Sequence, residues 1–233
     1  MIKRFFVILL LVGLGAVFLG LLAGYAPDDQ LNLTARYYAE HTAQDLGAAN
    51  IVTAIIVTFR GLDTLGEVTV LFLTAAIVGL VLSQGRRKGD GARRELPPTG
   101  ELLTTGTRLL VPLILLLGVY VFANGHLTPG GGFQGGAILA SGVLLLLLTD
   151  PMLRFGHGLI AAIESTAGLL FVGIGVLGVF LAGGFLDNRI LPIGDLGQLF
   201  SAGAIPVIYS FVGLKVGAEF SSMLVNLSET EDL

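Results

Sequence analysis

The stretch Leu159–Ala182, LIAAIESTAGLLFVGIGVLGVFLA, runs 24 residues with a single ionisable side chain, Glu164. A helix that crosses a bilayer needs about 20 predominantly apolar residues, because the hydrocarbon core is about 30 Å thick and each residue rises about 1.5 Å. A surface helix of a soluble domain would instead carry an apolar stripe on one side and charges on the other. No polar side exists here, so the stretch is a membrane span. The fold question then becomes how many more the chain contains.

Working outward, five further blocks have the same character: Phe5–Gly24, Thr64–Leu82, Leu109–Phe122 with a start nearer Thr105, Gln134–Thr149, and Leu199–Ser222. The expected class is therefore all-α, a polytopic membrane protein of six helices. The first block follows Lys3 and Arg4 as a signal peptide would, but its apolar run of about 20 exceeds the 7–15 of a signal sequence. We expect a retained helix. Composition agrees, with 54% hydrophobic residues, 13% charged residues, 34 glycines and a mean hydropathy of +0.86. A soluble domain carries about 25% charged residues. The net charge of −4 gives no reason to expect a nucleic-acid partner, and the absence of cysteine excludes disulfides and thiolate-held clusters.

Basic residues set the orientation. With the amino terminus in the cytoplasm, the inner segments hold Lys3, Arg4, Arg86, Arg87, Lys88, Arg93, Arg94, Arg108 and Arg154. The outer ones hold Arg36 and Arg189, with Arg60 at an edge, and the outer loop from Tyr25 to Asn50 carries Asp28, Asp29, Glu40 and Asp45. This is the positive-inside bias, and it predicts both termini on the cytoplasmic face of the cell (inner) membrane. Pro97-Pro98 and the surrounding charges mark residues 84–107 as a solvent-exposed linker. The expected arrangement is two helices in residues 1–83, the linker, four helices in 108–225, and an acidic tail in 226–233.

Two stretches exceed generic membrane helix. In NIVTAIIVTFRGLDTLGE, Asn50–Glu67, one unbroken helix to Leu82 would be about 50 Å long, too long for a bilayer core. The break is expected at Gly61 and Gly66 around Asp63, leaving 50–60 as a short interfacial or partly inserted piece. Thr64 could then cap the next helix with Glu67 completing a capping box. Alternatively Arg60, Asp63 and Glu67 form a polar cluster on an ion path, as intramembrane carboxylates commonly do. In NGHLTPGGGFQGG, Asn124–Gly136, the glycines cannot belong to ordinary helix, and no Lys-Ser/Thr follows to make a phosphate loop. His126, Pro129, Gly130, Gly131, Gly132, Phe133, Gln134, Gly135 and Gly136 are read as a loop for close backbone approach, either to a neighbouring subunit or for sharp re-entry into the next helix.

Charges inside the spans complete the set. Lys215 and Glu219 are four residues apart and share one face of the sixth helix. Glu164 lies at a similar depth in the fifth, so it should approach Lys215. Either the three fix helix packing as an ion pair or they serve ion movement. Gly20-x-x-x-Gly24 and Gly213-x-x-x-Gly217 suit close helix contact.

The segment PLILLLGVYVFANGHLTPGGGFQGGAILA, Pro112–Ala140, resembles the B subunit of Mrp-type multisubunit monovalent cation/proton antiporters, whose first two of four helices are joined by a G-H-x-[ST]-P-G-G-G-F-Q-G-G loop. FRGLDTLGEVTVL, Phe59–Leu71, is similar to an E-type unit found at the end of the largest Mrp polypeptide and in membrane-bound hydrogenase and sulfur-reducing complexes. That family often has aspartate where Thr58 stands, and Glu67 matches its intramembrane glutamate. The resemblance implies a structural, path-lining subunit that associates with other subunits and the lipid bilayer, in a complex that moves Na+ and H+. The alternative it implies is the ion-translocating part of a redox complex. No enzymatic activity, cofactor or metal is expected of this chain itself.

Overall fold

The computed structural model describes residues 2–25, 30–85, 99–150 and 153–231. The helices are α1 (Ile2–Ala23), α2 (Leu33–Leu46), α3 (Ile51–Ala54), α4 (Gly61–Gly85), α5 (Glu101–Ala123), α6 (Gly132–Thr149), α7 (His157–Leu181) and α8 (Ile205–Glu231). A π turn (Ile55–Phe59) continues α3, and a 3-10 turn (Asn188–Ile190) sits between α7 and α8. Six of these helices, α1, α4, α5, α6, α7 and α8, are long and apolar enough to cross a membrane. Their large apolar side chains point outward in numbers that water would not tolerate. The chain is a multi-pass membrane protein.

Two compact units divide at Tyr37 and Tyr38. The first holds α1, none of whose side chains is buried. The second holds everything from Tyr38 onward, and α8 is its axis, packing against α4, α5, α6 and α7. Ile205, Ile208, Val212 and Val216 on α8 are fully enclosed.

Glycine explains how α5, α6 and α8 come together. A side chain at Gly135 would lie 2.7 Å from the Gly118 carbonyl oxygen, and one at Gly136 would lie 2.7 Å from that of Gly213. Small residues let backbones approach where lipid offers no hydrophobic drive for helix association. Within the chain, these glycines let α6 pack against α5 and α8. Gly131 lies against Tyr209, and Gly132 against Val212. Gly130 has φ +147, and a side chain there would also meet Val121. Of the loop, Pro129 and Gln134 stay exposed.

Several expected boundaries move. The break before α4 falls at Arg60 (φ −126, ψ 38), and the helix resumes at Gly61. Asp63, Thr64 and Gly66 therefore lie inside α4, and Thr64 is not an N-cap. Its hydroxyl donates instead to the Ile56 carbonyl at 2.8 Å, satisfying a group in the π turn. Gly61 must be glycine for a different reason, since a side chain there would lie 2.9 Å from the Phe185 carbonyl oxygen. The last span starts at Ile205 and not Leu199, because Ala202 (φ 61) and Gly203 (φ 58) turn the chain and the Asn188 amide holds the Ala202 carbonyl at 2.9 Å. Of the expected linker, α4 claims 84–85 and α5 claims 101–107. Arg86, Arg87, Lys88, Arg93, Arg94, Pro97, Pro98, Asp28 and Asp29 lie outside the described residues.

Candidate functional site

Several polar regions interrupt the apolar body of the second unit. The first is a buried ion pair on α8. Lys215 and Glu219 face the same way, as their spacing requires, and Lys215 Nζ donates to Glu219 Oε1 at 2.7 Å. Their side chains are 9% and 0% exposed, so water does little to support either charge. Phe72 of α4 adds its ring face 5.0 Å from the ammonium. The second carboxylate oxygen of Glu219 is buried without a hydrogen bond.

An open cavity of about 250 Å³ adjoins Lys215. Leu65, Val68, Thr69 and Phe72 of α4 form one wall, Glu164, Ser165, Gly168, Leu169 and Val172 of α7 form the other, and Lys215 of α8 closes the floor. Glu164 and Lys215 therefore line one space. The direct ion pair, however, joins Lys215 to Glu219. A side chain at Gly168 would lie in ordinary contact with the Lys215 side chain, at 3.4–3.5 Å.

The second region is the outer face of α4. Arg60 and Asp63 form an ion pair at the start of the helix, with side chains 60% and 52% exposed. Glu67 follows one turn later and is also exposed. It has no hydrogen bond or ion pair among the described residues. Six residues at about 1.5 Å each put it about 9 Å into the span. Thr58, in the π turn, has its hydroxyl buried without a partner.

The third region closes the end of the unit where loops 47–50, 124–131 and 186–204 meet. Asn50 caps α3 and donates to the carbonyls of Gly125 and Thr128, both at 2.9 Å. Thr53 donates to Gly125 at 2.6 Å, and the Tyr209 hydroxyl donates to Thr53 at 3.2 Å. The His126 carbonyl accepts from Ala49 and Asn50. Its ring is 0% exposed, with Nε2 3.3 Å from the Gln198 carbonyl. Burial pushes the imidazole below its ordinary pKa, although the Gln198 and Ala123 carbonyls oppose this. Nearby, burial disfavours the Asp187 carboxylate, but hydrogen bonds and charge from Arg189 outweigh it and hold the group below its usual range. His126 thus lies enclosed within a hydrogen-bonded cap. Sequence reading missed Asn50, Thr53, Asn188 and Tyr209 here. Asn50 before an apolar run was a readable N-cap signal, while the partners of Asn188 lie 14 and 142 residues away.

Apolar spanning helices around a few buried or membrane-depth charges define a polytopic membrane protein with intramembrane ionisable groups, a class in which such groups mark ion pathways. Residues 102–222 match the family model described as a domain related to the MnhB subunit of Na+/H+ antiporter, and residues 3–93 match one described as the E subunit of MBH. The chain belongs to the MnhB-related family. It is 30% identical over 203 residues to an uncharacterized protein of Methanocaldococcus jannaschii, covering 77% of each. It is 26% identical over 172 residues to a probable K(+)/H(+) antiporter A/B subunit of Rhizobium meliloti, covering 60% of this chain and 17% of that protein. Among solved structures it is similar to a chain of the membrane-bound sulfane sulfur reductase, an archaeal respiratory membrane complex, with TM-score 0.83, 39% identity and 97% and 98% coverage. It is also similar to a chain of the Mrp complex from Dietzia, with TM-score 0.72 and 27% identity, spanning 94% of this chain and 26% of that one.

Proposed function

We propose that this chain is a membrane subunit of a multisubunit monovalent cation/proton antiporter, one that builds the assembly and contributes side chains to the ion path. The observation that carries the reading is Glu67, an exposed carboxylate within a span. Left against lipid, a charged side chain inside a span is costly. A neighbouring protein or a water-filled path accounts for its exposure. Arg60 and Asp63 form the outer mouth of that route, with both termini in the cytoplasm, and residues 1–83 and 108–225 serve as the two modules. This chain catalyses nothing alone. Pro129 and Gln134 are the loop positions available to a neighbour.

The 39% identity to a chain of the sulfane sulfur reductase, matched over nearly its full length, favours a second reading. There the same module would couple ion movement to electron transfer in partner subunits. Purifying the native complex separates the two, since iron–sulfur partners would indicate redox coupling and their absence antiport. Glu67→Gln tests the role itself. In membrane vesicles carrying the whole complex it should lower cation/proton exchange at least tenfold with assembly intact. Unchanged exchange at every pH would remove Glu67 from the path.

A further inference from the structure

We infer that the cleft between α4 and α7 is the seat of a transmembrane helix from a partner subunit, which presents a lysine or arginine to Glu164. The inference rests on this chain being one subunit of a multisubunit complex, and not on which ions that complex moves. Charge complementarity is the first argument. Glu164 lies about 10 Å along α7, inside a span, where a lone carboxylate is costly. It has no hydrogen bond or ion pair among the described residues. The ammonium that shares its cleft, Lys215, is committed to Glu219 at 2.7 Å. Two carboxylates thus stand against one ammonium, and the charge left over calls for a cation from outside the chain.

The form of the cleft is the second argument. α4 and α7 each pack on α8 but scarcely on each other, which leaves the gap between them. Its walls are mostly apolar, with Leu65, Val68 and Phe72 on α4 and Leu169 and Val172 on α7. An acyl chain would suit those walls, but it has no donor and would leave the Glu164 carboxylate in hydrocarbon. A partner helix suits both, with apolar side chains on the walls and one basic side chain reaching in. Arginine is the better fit, since its guanidinium pairs with a carboxylate through two donors. The cavity holds about 250 Å³. A 10 Å length of a helix about 10 Å across would fill about three times that volume. The helix therefore lies across the mouth, and its long side chains enter. Ser165 and Gly168 are the small residues that let it come close on the α7 side. Glu67 stands two residues before Thr69, about 200° around α4 from it, and so lies outside this seat.

The test uses the purified complex with all its subunits and a photo-cross-linking benzoylphenylalanine in place of Leu169, an exposed residue of the cleft. Irradiation should join this chain to a second subunit. Mass spectrometry of the joined peptides should place the bond in an apolar segment of about 20 residues, with a lysine or arginine within one helical turn. Glu164→Gln should lower the yield about tenfold, the scale of a close charge pair across an interface. Replacing the partner's basic residue by methionine should do the same. Glu164→Lys combined with an acidic residue at the partner position should restore the yield, which separates lost pairing from a chain that does not fold. Adducts with lipid alone, with a second copy of this chain, or with a segment lacking a basic residue overturn the inference. So does an unchanged yield in Glu164→Gln. The cross-link is read without transport, so a Glu67→Gln complex that exchanges ions normally would break the ion-path reading and leave this one standing.

Discussion

Two lines of contact run along α8, and they are built in opposite ways. Toward α6 the helices approach closely, because Gly132 and Gly136 carry no side chain where they meet Val212, Gly213 and Val216. Toward α4 and α7 the fillers are long side chains, Phe72, Lys215 and Glu164, and the line stays open as a cavity. The closed seam has no room for an ion, and α6 has no charge to hold one. Among the described residues, the buried charges of the unit's spans, Lys215 and Glu219, sit on the open side. Close backbone packing and buried charge thus lie along two different contact lines of one helix.

The largest test of that contrast is Lys215→Met. It leaves Glu219 buried without its cation, a change of about 3–5 kcal/mol in enclosed pairs. Thermal unfolding of the chain in nanodiscs should show a large loss, with Lys215→Met/Glu219→Leu recovering most of it. Equal losses in the single and double variants would mean that the open side is held by packing and not by charge. A smaller loss should follow from Gly136→Leu, about 1–3 kcal/mol from overpacking, because the neighbour it meets at 2.7 Å is backbone. Gly168→Leu, placed in the cleft, meets only the flexible end of Lys215 and should cost far less. Were the two glycine substitutions equally harmful, the closed and open lines would not differ.

How far the sequence revealed this follows from what each feature depends on. The six spans were legible because bilayer thickness imposes a length that apolar runs either reach or do not. The Lys215–Glu219 pair was legible because four residues fix it locally. The role of Gly135 and Gly136 was not, since their partners Gly118 and Gly213 are distant in sequence and a glycine-rich loop would suit packing against another protein equally well. Thr64 misled for a related reason. Its capping-box spacing to Glu67 is real, but a π turn moved the helix start to Gly61, and the hydroxyl serves the Ile56 carbonyl instead. The cap around His126 needed three loops to be placed together before any of its hydrogen bonds could be seen.

The smallest effect distinguishes the two lines by pH. His126 anchors the cap over the end of the closed seam, where Gly125 and Gly131 lie against Tyr209 of α8. Because burial lowers its pKa from the ordinary 6.5, the unfolded chain binds the proton more tightly than the folded one. Stability therefore rises with pH where the two differ. The contribution is complete above about pH 6.5 and is lost as pH falls toward the folded-state value. His126→Gln keeps a donor for the Gln198 carbonyl but cannot titrate. Its unfolding temperature should change less between about pH 7.5 and pH 5 than that of the unaltered chain, by roughly the few degrees that 1 kcal/mol is worth in a protein of this size. Glu164→Gln, on the open side, should leave that difference in place. If it removed the difference instead, the acid sensitivity would belong to the cleft, and the seam would be inert to protons.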